Sequence, residues 1–190
     1  MSESNTKFSS VEKIIVQRDG INYVSSCVFI DPYTALTASH SVFNSDKITI
    51  SDNEAAFYRV HPDYKQSESN YLNDIAIIRF KKPHFSFSNI SEDLWGPVFY
   101  RVGHGLRDNK NERAAFLIKL LETKSKHNCF LDYTSVIGDS GGGVFNSKFE
   151  LVGIHSTKED NKIYTVNLAH YMDWITPYIS KSQKVSNHWL

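Results

Sequence analysis

The chain has 190 residues, of which 41% are hydrophobic and 22% are charged, and its 21 basic side chains balance its 21 acidic ones. This composition fits one globular domain or two small lobes, and the even charge excludes any obvious nucleic-acid or anionic-membrane partner. No apolar run is long enough to span a membrane, and the polar start M-S-E-S-N-T-K-F-S-S lacks the apolar centre of a signal peptide. We therefore expect a cytoplasmic protein that is monomeric and binds neither nucleic acid nor membranes.

Short runs of β-branched and aromatic residues, separated by turn residues, follow a polar N-terminal arm at residues 1–10. Strands at this spacing predict an all-β barrel or sandwich. Residues 114–122 fit a helix or a strand, residues 85–95 are a candidate linker between lobes, and residues 181–190 are a polar tail. Apolar residues at helical spacing predict a short helix over residues 169–180, with Pro177 near its end. The predicted strands cover residues 11–16, 21–30, 33–38, 47–51, 55–60, 75–80, 97–102, 129–133, 143–146, 150–156 and 162–168.

The stretch V-I-G-D-S-G-G-G-V-F at residues 136–145 places Ser140 in a run of glycines. Glycines allow tight turns and close approach of a substrate, and the N–H groups of Gly138 and Ser140 could form an oxyanion hole. The alternative is a glycine-rich hairpin in which the serine is incidental.

A serine hydroxyl needs an adjacent base, and the base needs a group that orients it. The sequence L-T-A-S-H at residues 36–40 ends a predicted strand in His40, and N-D-I-A-I-I-R-F at residues 73–80 places Asp74 before a strand that we expect to be buried on both faces. Taken alone, His40 could be structural and Asp74 an ordinary turn residue.

Together these stretches resemble the chymotrypsin-like serine peptidases. T-A-S-H resembles that family's T-A-A-H, N-D-I-A-I-I-R its D-I-A-L-L, and G-D-S-G-G-G its G-D-S-G-G-P, in the family's order of His, Asp and Ser. L-V-G-I-H-S at residues 151–156 and the end of the chain, Y-T-x-V…Y-x-x-W-I at residues 164–175, are also similar. The resemblance implies two Greek-key antiparallel β-barrels, at residues 11–90 and 91–168, packed together with a short C-terminal helix.

The resemblance also implies a serine endopeptidase that cleaves protein or peptide substrates through an acyl-enzyme. Ser140 would be the nucleophile, His40 the base and Asp74 the residue that orients the base. Gly138 and Ser140 would supply the oxyanion hole, and Ser156 matches a serine close to the triad aspartate. No cofactor is implied, and the remaining histidines show no metal-ligand spacing. The alternatives are a latent peptidase fold kept for interaction and a virus-type processing enzyme with one narrow target.

Two departures from the family, and one match to a subset of its members, concern the residues that support the site. Digestive members pair the aspartate matching Asp139 with a new N-terminus beginning I-V-G-G, a sequence that is absent here. Arg101 matches an arginine that pairs with this aspartate in some bacterial members, although it could also be a surface charge. Ser41 replaces the family's cysteine beside the histidine, so the disulfide of that corner is absent. Cys27 and Cys129 are too far apart in sequence for a redox or metal motif, which fits a reducing compartment.

The residues around the predicted pocket resemble those of V8-type glutamyl endopeptidases. Thr134 stands where trypsin-like members carry an aspartate, so we expect no selection of Lys or Arg. His155 in G-I-H-S and the hydroxyl of Ser135 match the glutamyl group, although His155 could be a core residue. With Lys158 and the adjoining Ser156, these side chains predict a pocket for Glu, with Asp second; a different P1 preference is the alternative.

Overall fold

The computed structural model describes residues 7–66 and 72–179, which form two closed antiparallel β-barrels of six strands each. The strands of the two barrels follow one another in the same spatial order, β1-β2-β3-β6-β5-β4 in the first and β7-β8-β9-β12-β11-β10 in the second. This Greek-key arrangement confirms the predicted fold class. The first barrel consists of β1 Val11–Arg18, β2 Ile21–Phe29, β3 Thr34–Thr37, β4 Lys47–Ile50, β5 Asn53–Val60 and β6 Ala76–Phe80. The second consists of β7 Phe99–Gly103, β8 Ala114–Thr123, β9 His127–Leu131, β10 Gly143–Phe145, β11 Leu151–Glu159 and β12 Lys162–Asn167.

Residues 75–78, at the start of strand β6 and just before it, are apolar without interruption because both of their faces are buried. Ile75 and Ile77 point into the core between the barrels, whereas Ala76, Ile78 and Phe80 fill the first barrel. Successive side chains of a strand point to opposite faces, so the part of a strand that lies between two cores needs apolar residues at successive positions. Arg79 interrupts the pattern where the strand is only partly buried, and its Nη1 donates to Thr34 Oγ1 over 3.0 Å. The second barrel has its own interior of Phe99, Ile118, Phe130, Val144, Val152 and Ile163.

Two short helices frame the barrels. Helix α1, Ser39–Val42, follows β3, and helix α2, Leu168–Ile175, follows β12. Helix α2 buries Leu168, Tyr171 and Ile175 against the core between the barrels. The α-helix ends at Ile175, before the end of the helix predicted over 169–180. A 3-10 turn over Thr176–Tyr178 follows it and contains Pro177. No helix in residues 7–66 and 72–179 is long and apolar enough to cross a membrane.

For two segments the structure adds to the sequence prediction: it decides between two alternatives for one and differs from the expectation for the other. Residues 114–122, which fitted helix or strand, belong to β8, because this segment pairs with both β7 and β9. Residues 7–10 lie within the expected arm, yet Phe8 is buried against Tyr100, Phe145 and Phe149. An aromatic side chain of this size gains more from burial than the loss of chain freedom costs, so this part of the arm is packed. Residues 1–6 of the arm and the tail 181–190 lie outside the described residues.

Candidate active site

His40 and Asp74 are joined by two hydrogen bonds at the mouth of the cleft between the barrels. His40 Nδ1 lies 2.6 Å from Asp74 Oδ2, and the His40 N–H donates to Asp74 Oδ1 over 2.8 Å. Ser156 Oγ donates to Asp74 Oδ2 over 2.5 Å. Asp74 is fully buried, while the His40 side chain remains 38% exposed. The carboxylate therefore fixes the ring through one nitrogen and leaves the other facing the cleft.

The position of Asp74 depends on a strained turn that helix α2 supports. Asn73 has a φ of +58°, in the left-handed region that asparagine tolerates better than most residues. The hydroxyl of Tyr171 accepts from the Asn73 N–H over 3.2 Å and donates to Asn73 Oδ1 over 2.9 Å. Burial raises the pKa of Tyr171 to about 12, so the hydroxyl keeps its proton and can donate. Helix α2 thus holds the residue directly before Asp74.

Ser140 lies on the glycine loop, and the first barrel holds its carbonyl group. Ser26 N–H and Ser25 Oγ donate to Ser140 O over 2.9 and 2.7 Å. Gly141 has a φ of +83°, and a Cβ there would lie 2.1 Å from Ser26 O, so no other residue fits. Ser25 Oγ also lies 2.8 Å from the hydroxyl of Ser41, so this hydrogen bond occupies the corner where the resembling family has a disulfide.

The Ser140 hydroxyl faces the same cleft as the His40 ring without bonding to it. Its Oγ donates to Ser156 O over 3.4 Å, and the described residues show no hydrogen bond from it to His40. The N–H groups of Gly138 and Ser140 have no partner within the described chain, which leaves both free for a ligand. Gly138 has a φ of +98°, and its carbonyl accepts from Ser26 Oγ over 2.8 Å. The predicted nucleophile and base therefore face one cleft, and the predicted oxyanion donors lie on the loop that carries the nucleophile.

Asp139 is buried behind the loop in a network of four charged side chains. Arg101 Nη1 lies 2.9 Å from Asp139 Oδ2, the pairing expected from the sequence, and Arg107 Nη2 lies 2.5 Å from the same oxygen. The second carboxylate is Asp132, which accepts from Arg101 Nε. Burial alone would raise the pKa of Asp139, but the charge of Arg101 and hydrogen bonds from Arg107 and the Val136 N–H hold it below its usual value.

The cleft beside Ser140 has a volume of about 520 Å³ and contains four of the five predicted pocket residues. Ser135 Oγ lies 2.9 Å from His155 Nε2, and Lys158 Nζ donates to Ser135 O over 2.9 Å. Burial, and after it the charge of Arg101, lowers the pKa of His155 to about 3, so this ring is neutral at neutral pH. The cleft is lined by His40, Ser135, Val136, Ile137, Ser140, His155, Ser156, Thr157 and Lys158.

Thr134 is the one predicted pocket residue that is absent from this lining. Its N–H and hydroxyl both donate to Asp132 Oδ1, and its hydroxyl also accepts from Arg101 Nη2 over 2.8 Å. The hydroxyl is turned toward the buried charges, so Thr134 supports the pocket from behind. The contact between Thr134 and substrate that the sequence predicts is not seen in this lining and stays a prediction.

Sequence reasoning missed Arg107, Asp132, Ser25 and Ser26. Arg107 lies in a stretch whose charges indicate only a solvated loop. Asp132 and Thr134 have the spacing at which an aspartate accepts from the backbone two residues later, which is a turn signal and predicts no ion pair. Ser25 and Ser26 lie in a strand, and only the packing of the two barrels brings them to the glycine loop.

The comparisons with known proteins concern the family and the fold of the chain. A family described as "Trypsin-like peptidase domain" matches residues 25–154. No curated protein matches the chain in sequence. Among solved structures, the scabies mite inactivated protease paralogue S-I1 is 13% identical with a TM-score of 0.75, over 90% of this chain and 94% of that chain. HL collagenase is 16% identical with a TM-score of 0.78, over 90% and 93%. An M. tuberculosis protease in its active form is 13% identical with a TM-score of 0.72, over 91% and 82%. At these identities the likeness to solved structures concerns the fold alone.

Proposed function

Because the chain belongs to the family of trypsin-like peptidase domains, we propose that it is a serine endopeptidase with Ser140 as nucleophile, His40 as base and Asp74 as orienting acid. The observation that carries this proposal is the 2.6 Å contact between His40 Nδ1 and the buried Asp74 Oδ2, beside a cleft that His40 shares with Ser140. A buried carboxylate on Nδ1 keeps the proton there, which leaves Nε2 as the acceptor that a general base needs.

The reaction begins when the Ser140 side chain turns from Ser156 O toward His40 Nε2. Oγ gives its proton to Nε2 and attacks the scissile carbonyl carbon, and the carbonyl oxygen becomes an oxyanion bound by the free N–H groups of Gly138 and Ser140. His40 then passes the proton to the leaving amine, which departs and leaves an ester on Ser140. Water, deprotonated by His40, attacks this ester and releases the second product, and the proton returns to Ser140.

The proposed substrates carry Glu at P1, with Asp second. A neutral His155 can donate through Nε2 to Ser135 Oγ, which leaves the Ser135 hydroxyl proton for a substrate carboxylate. Lys158, bonded to the Ser135 carbonyl, brings a positive charge to the same cleft. A charge-assisted hydrogen bond contributes roughly 1.5–3 kcal/mol. At about 1.4 kcal/mol per tenfold, this predicts that Glu is preferred over Gln by about 10- to 100-fold.

Labelling with a fluorophosphonate tests the nucleophile. We expect the protein to react and the Ser140→Ala variant not to react, because the reagent modifies a serine hydroxyl that an adjacent base activates. The alternative is a latent interaction module, which the missing Ser140–His40 hydrogen bond favours. A folded wild-type protein that does not label would support that alternative.

A panel of peptides with Glu, Asp, Gln, Phe or Lys at P1 tests the pocket. We expect kcat/KM to be highest for Glu, and Lys158→Gln to reduce the ratio of Glu to Gln while cleavage after Gln is unchanged. Lys162→Gln, on the neighbouring strand and outside the cleft lining, is the matched control. Cleavage after Phe or Lys but not after Glu would overturn the pocket assignment.

A further inference from the structure

We propose that Arg107 is a positioning residue that keeps the oxyanion loop in its active shape by clamping and neutralising Asp139. The inference rests on the proposed function, because it assigns a role in the reaction that Ser140 would perform. It concerns a residue beyond the triad, the oxyanion donors and the expected Arg101 pair.

Arg107 is presented by a small hairpin that the chain builds after β7. The N–H groups of Arg107 and Lys110 each donate to the other's carbonyl over 2.9 Å, and Asp108 and Asn109 between them both have positive φ. Two central residues with positive φ form the turn that matches the twist of a hairpin. At the base of the hairpin, Asn111 Nδ2 donates to His104 O over 2.9 Å. The hairpin is therefore closed at both ends, which fixes the backbone from which the Arg107 side chain extends.

The guanidinium of Arg107 reaches from this hairpin to both sides of the glycine loop. Its Nη2 contacts Asp139 Oδ2 at 2.5 Å and donates to Thr134 O over 2.8 Å, while its Nη1 lies 3.4 Å from Asp139 Oδ1. It also lies over the ring of Phe116, 4.6 Å from the centroid. A Cβ on residue 105 would lie 2.6 Å from Asp139 Oδ1 and 2.7 Å from Arg107 Nη1, so a side chain there would collide with the Arg107–Asp139 ion pair. Glycine at this position leaves room for the pair.

Charge balance gives Arg107 a task that Arg101 cannot perform alone. Arg101 is fully buried: its Nε donates to Asp132, and its Nη1 lies 2.9 Å from Asp139 Oδ2 as an ion pair without a hydrogen bond of good geometry. Asp132 and Asp139 are buried as well. Two carboxylates and two guanidiniums make this group neutral, and without Arg107 it carries one uncompensated negative charge. A buried charge without a partner is costly, and the carboxylate responds by moving toward water or by taking up a proton.

Either response disturbs the loop that carries the reaction. The Asp139 carboxylate accepts from the Val136 N–H over 3.0 Å and from the Gly105 N–H over 2.8 Å. It therefore joins the start of the glycine loop to the segment that follows β7. Asp139 lies between Gly138 and Ser140, the two residues whose N–H groups would bind the oxyanion. A shift of Asp139 therefore moves the oxyanion donors before it affects the barrels.

We expect the fold to tolerate substitution of Arg107 better than substitution of Arg101. Its side chain is 25% exposed and comes from a loop, whereas the Arg101 side chain is 0% exposed and comes from β7. We therefore expect the loss of Arg107 to act mainly on kcat, and the loss of Arg101 to act on the whole fold.

The test compares Arg107→Ala and Arg107→Lys with Lys110→Ala, a control on the same hairpin whose side chain is 70% exposed. Loss of one oxyanion donor costs about 10²–10³ in kcat, so we expect Arg107→Ala to lower kcat at least tenfold on the best peptide of the panel, with KM changed much less. Lysine keeps the charge but cannot bind two acceptors as a fork, so Arg107→Lys should fall between. Guanidinium chloride, well below denaturing concentrations, should restore part of the Arg107→Ala activity, whereas sodium chloride at equal ionic strength should not.

Hydrogen exchange of peptides covering residues 134–142 gives a readout that does not depend on activity. We expect faster exchange there in Arg107→Ala and unchanged exchange in Lys110→Ala. If wild type does not label with fluorophosphonate, the proposed function fails and this exchange measurement still decides the role of Arg107. If Arg107→Ala does not fold, Arg107→Lys replaces it in both measurements. Activity within twofold of wild type together with unchanged exchange would overturn the inference.

Discussion

The sharpest test of the buried charges is the replacement of Arg101 by methionine. Methionine retains much of the apolar stem of arginine but none of its donors, so Asp132 and Asp139 lose a shared partner while both stay buried. Breaking a buried ion pair by removing one partner costs about 3–5 kcal/mol. For a chain of this size, each kcal/mol corresponds to about 2–4 °C in Tm, so Arg101→Met should lower Tm by roughly 6–20 °C.

The assay is urea unfolding followed by tryptophan fluorescence, repeated at several pH values. In the wild type, the pKa of Asp132 and Asp139 lies below the usual value, so the stability from their ionisation is present above the ordinary aspartate pKa and lost as pH falls below it. In the variant, Arg107 and Thr134 still oppose the effect of burial, but the Arg101 charge does not, so both pKa values rise and protonation relieves part of the penalty. The difference in unfolding free energy should therefore be largest at neutral pH and shrink in acid.

An exposed arginine on β5 provides the control, because Arg59→Met removes a charge without leaving a buried carboxylate. Its unfolding midpoint should stay close to that of the wild type. An Arg101→Met protein with the wild-type midpoint would refute the reasoning. So would a stability loss of the same size at neutral and acid pH, because that would indicate lost packing rather than unpaired charge.

Two further predictions concern His155 and Tyr171. Burial first, then Arg101, lowers the pKa of His155 to about 3, below the value of 6.5 expected in the unfolded chain. Its stability contribution is thus complete above pH 6.5 and lost as pH falls toward 3. As pH falls from 6.5 to 3, Tm should therefore decrease less steeply in His155→Gln than in the wild type. Identical slopes of Tm against pH would contradict a buried, neutral His155 ring. Tyr171→Phe removes the hydroxyl that holds Asn73 and should cost about 0.5–1.5 kcal/mol in urea unfolding, together with a reduced kcat. Tyr178→Phe serves as its control, and an unchanged kcat would show that the turn before Asp74 keeps its shape without helix α2.

The sequence predicted the fold because the barrel strands carry the pattern that their positions require. The uninterrupted apolar run around Ile77 reveals a strand between two cores, and the glycines around Ser140 mark a loop that other residues cannot form. The order of the His40, Asp74 and Ser140 motifs was equally informative. These signals are local, since each can be read from a few consecutive residues.

The contacts that sequence reasoning missed join distant segments that carry no family motif. The hairpin that carries Arg107 reads as a charged loop, and nothing in its composition indicates that one of its charges turns inward to Asp139. Thr134 was expected in the pocket from its distance to Ser140, but its hydroxyl satisfies Asp132 instead. Side-chain direction depends on which partner is buried nearby, and spacing in the sequence does not contain that information.

At the site, each barrel donates a hydrogen bond from a serine hydroxyl to the other barrel. Ser156, on β11 of the second barrel, donates to Asp74, which precedes β6 of the first. In return Ser26, on β2 of the first barrel, donates to the Gly138 carbonyl in the loop of the second. Both hydrogen bonds cross the interface, so neither barrel alone can hold its half of the site in shape. The core between the barrels therefore sets the site geometry, and packing changes there should alter activity even where they touch none of these groups.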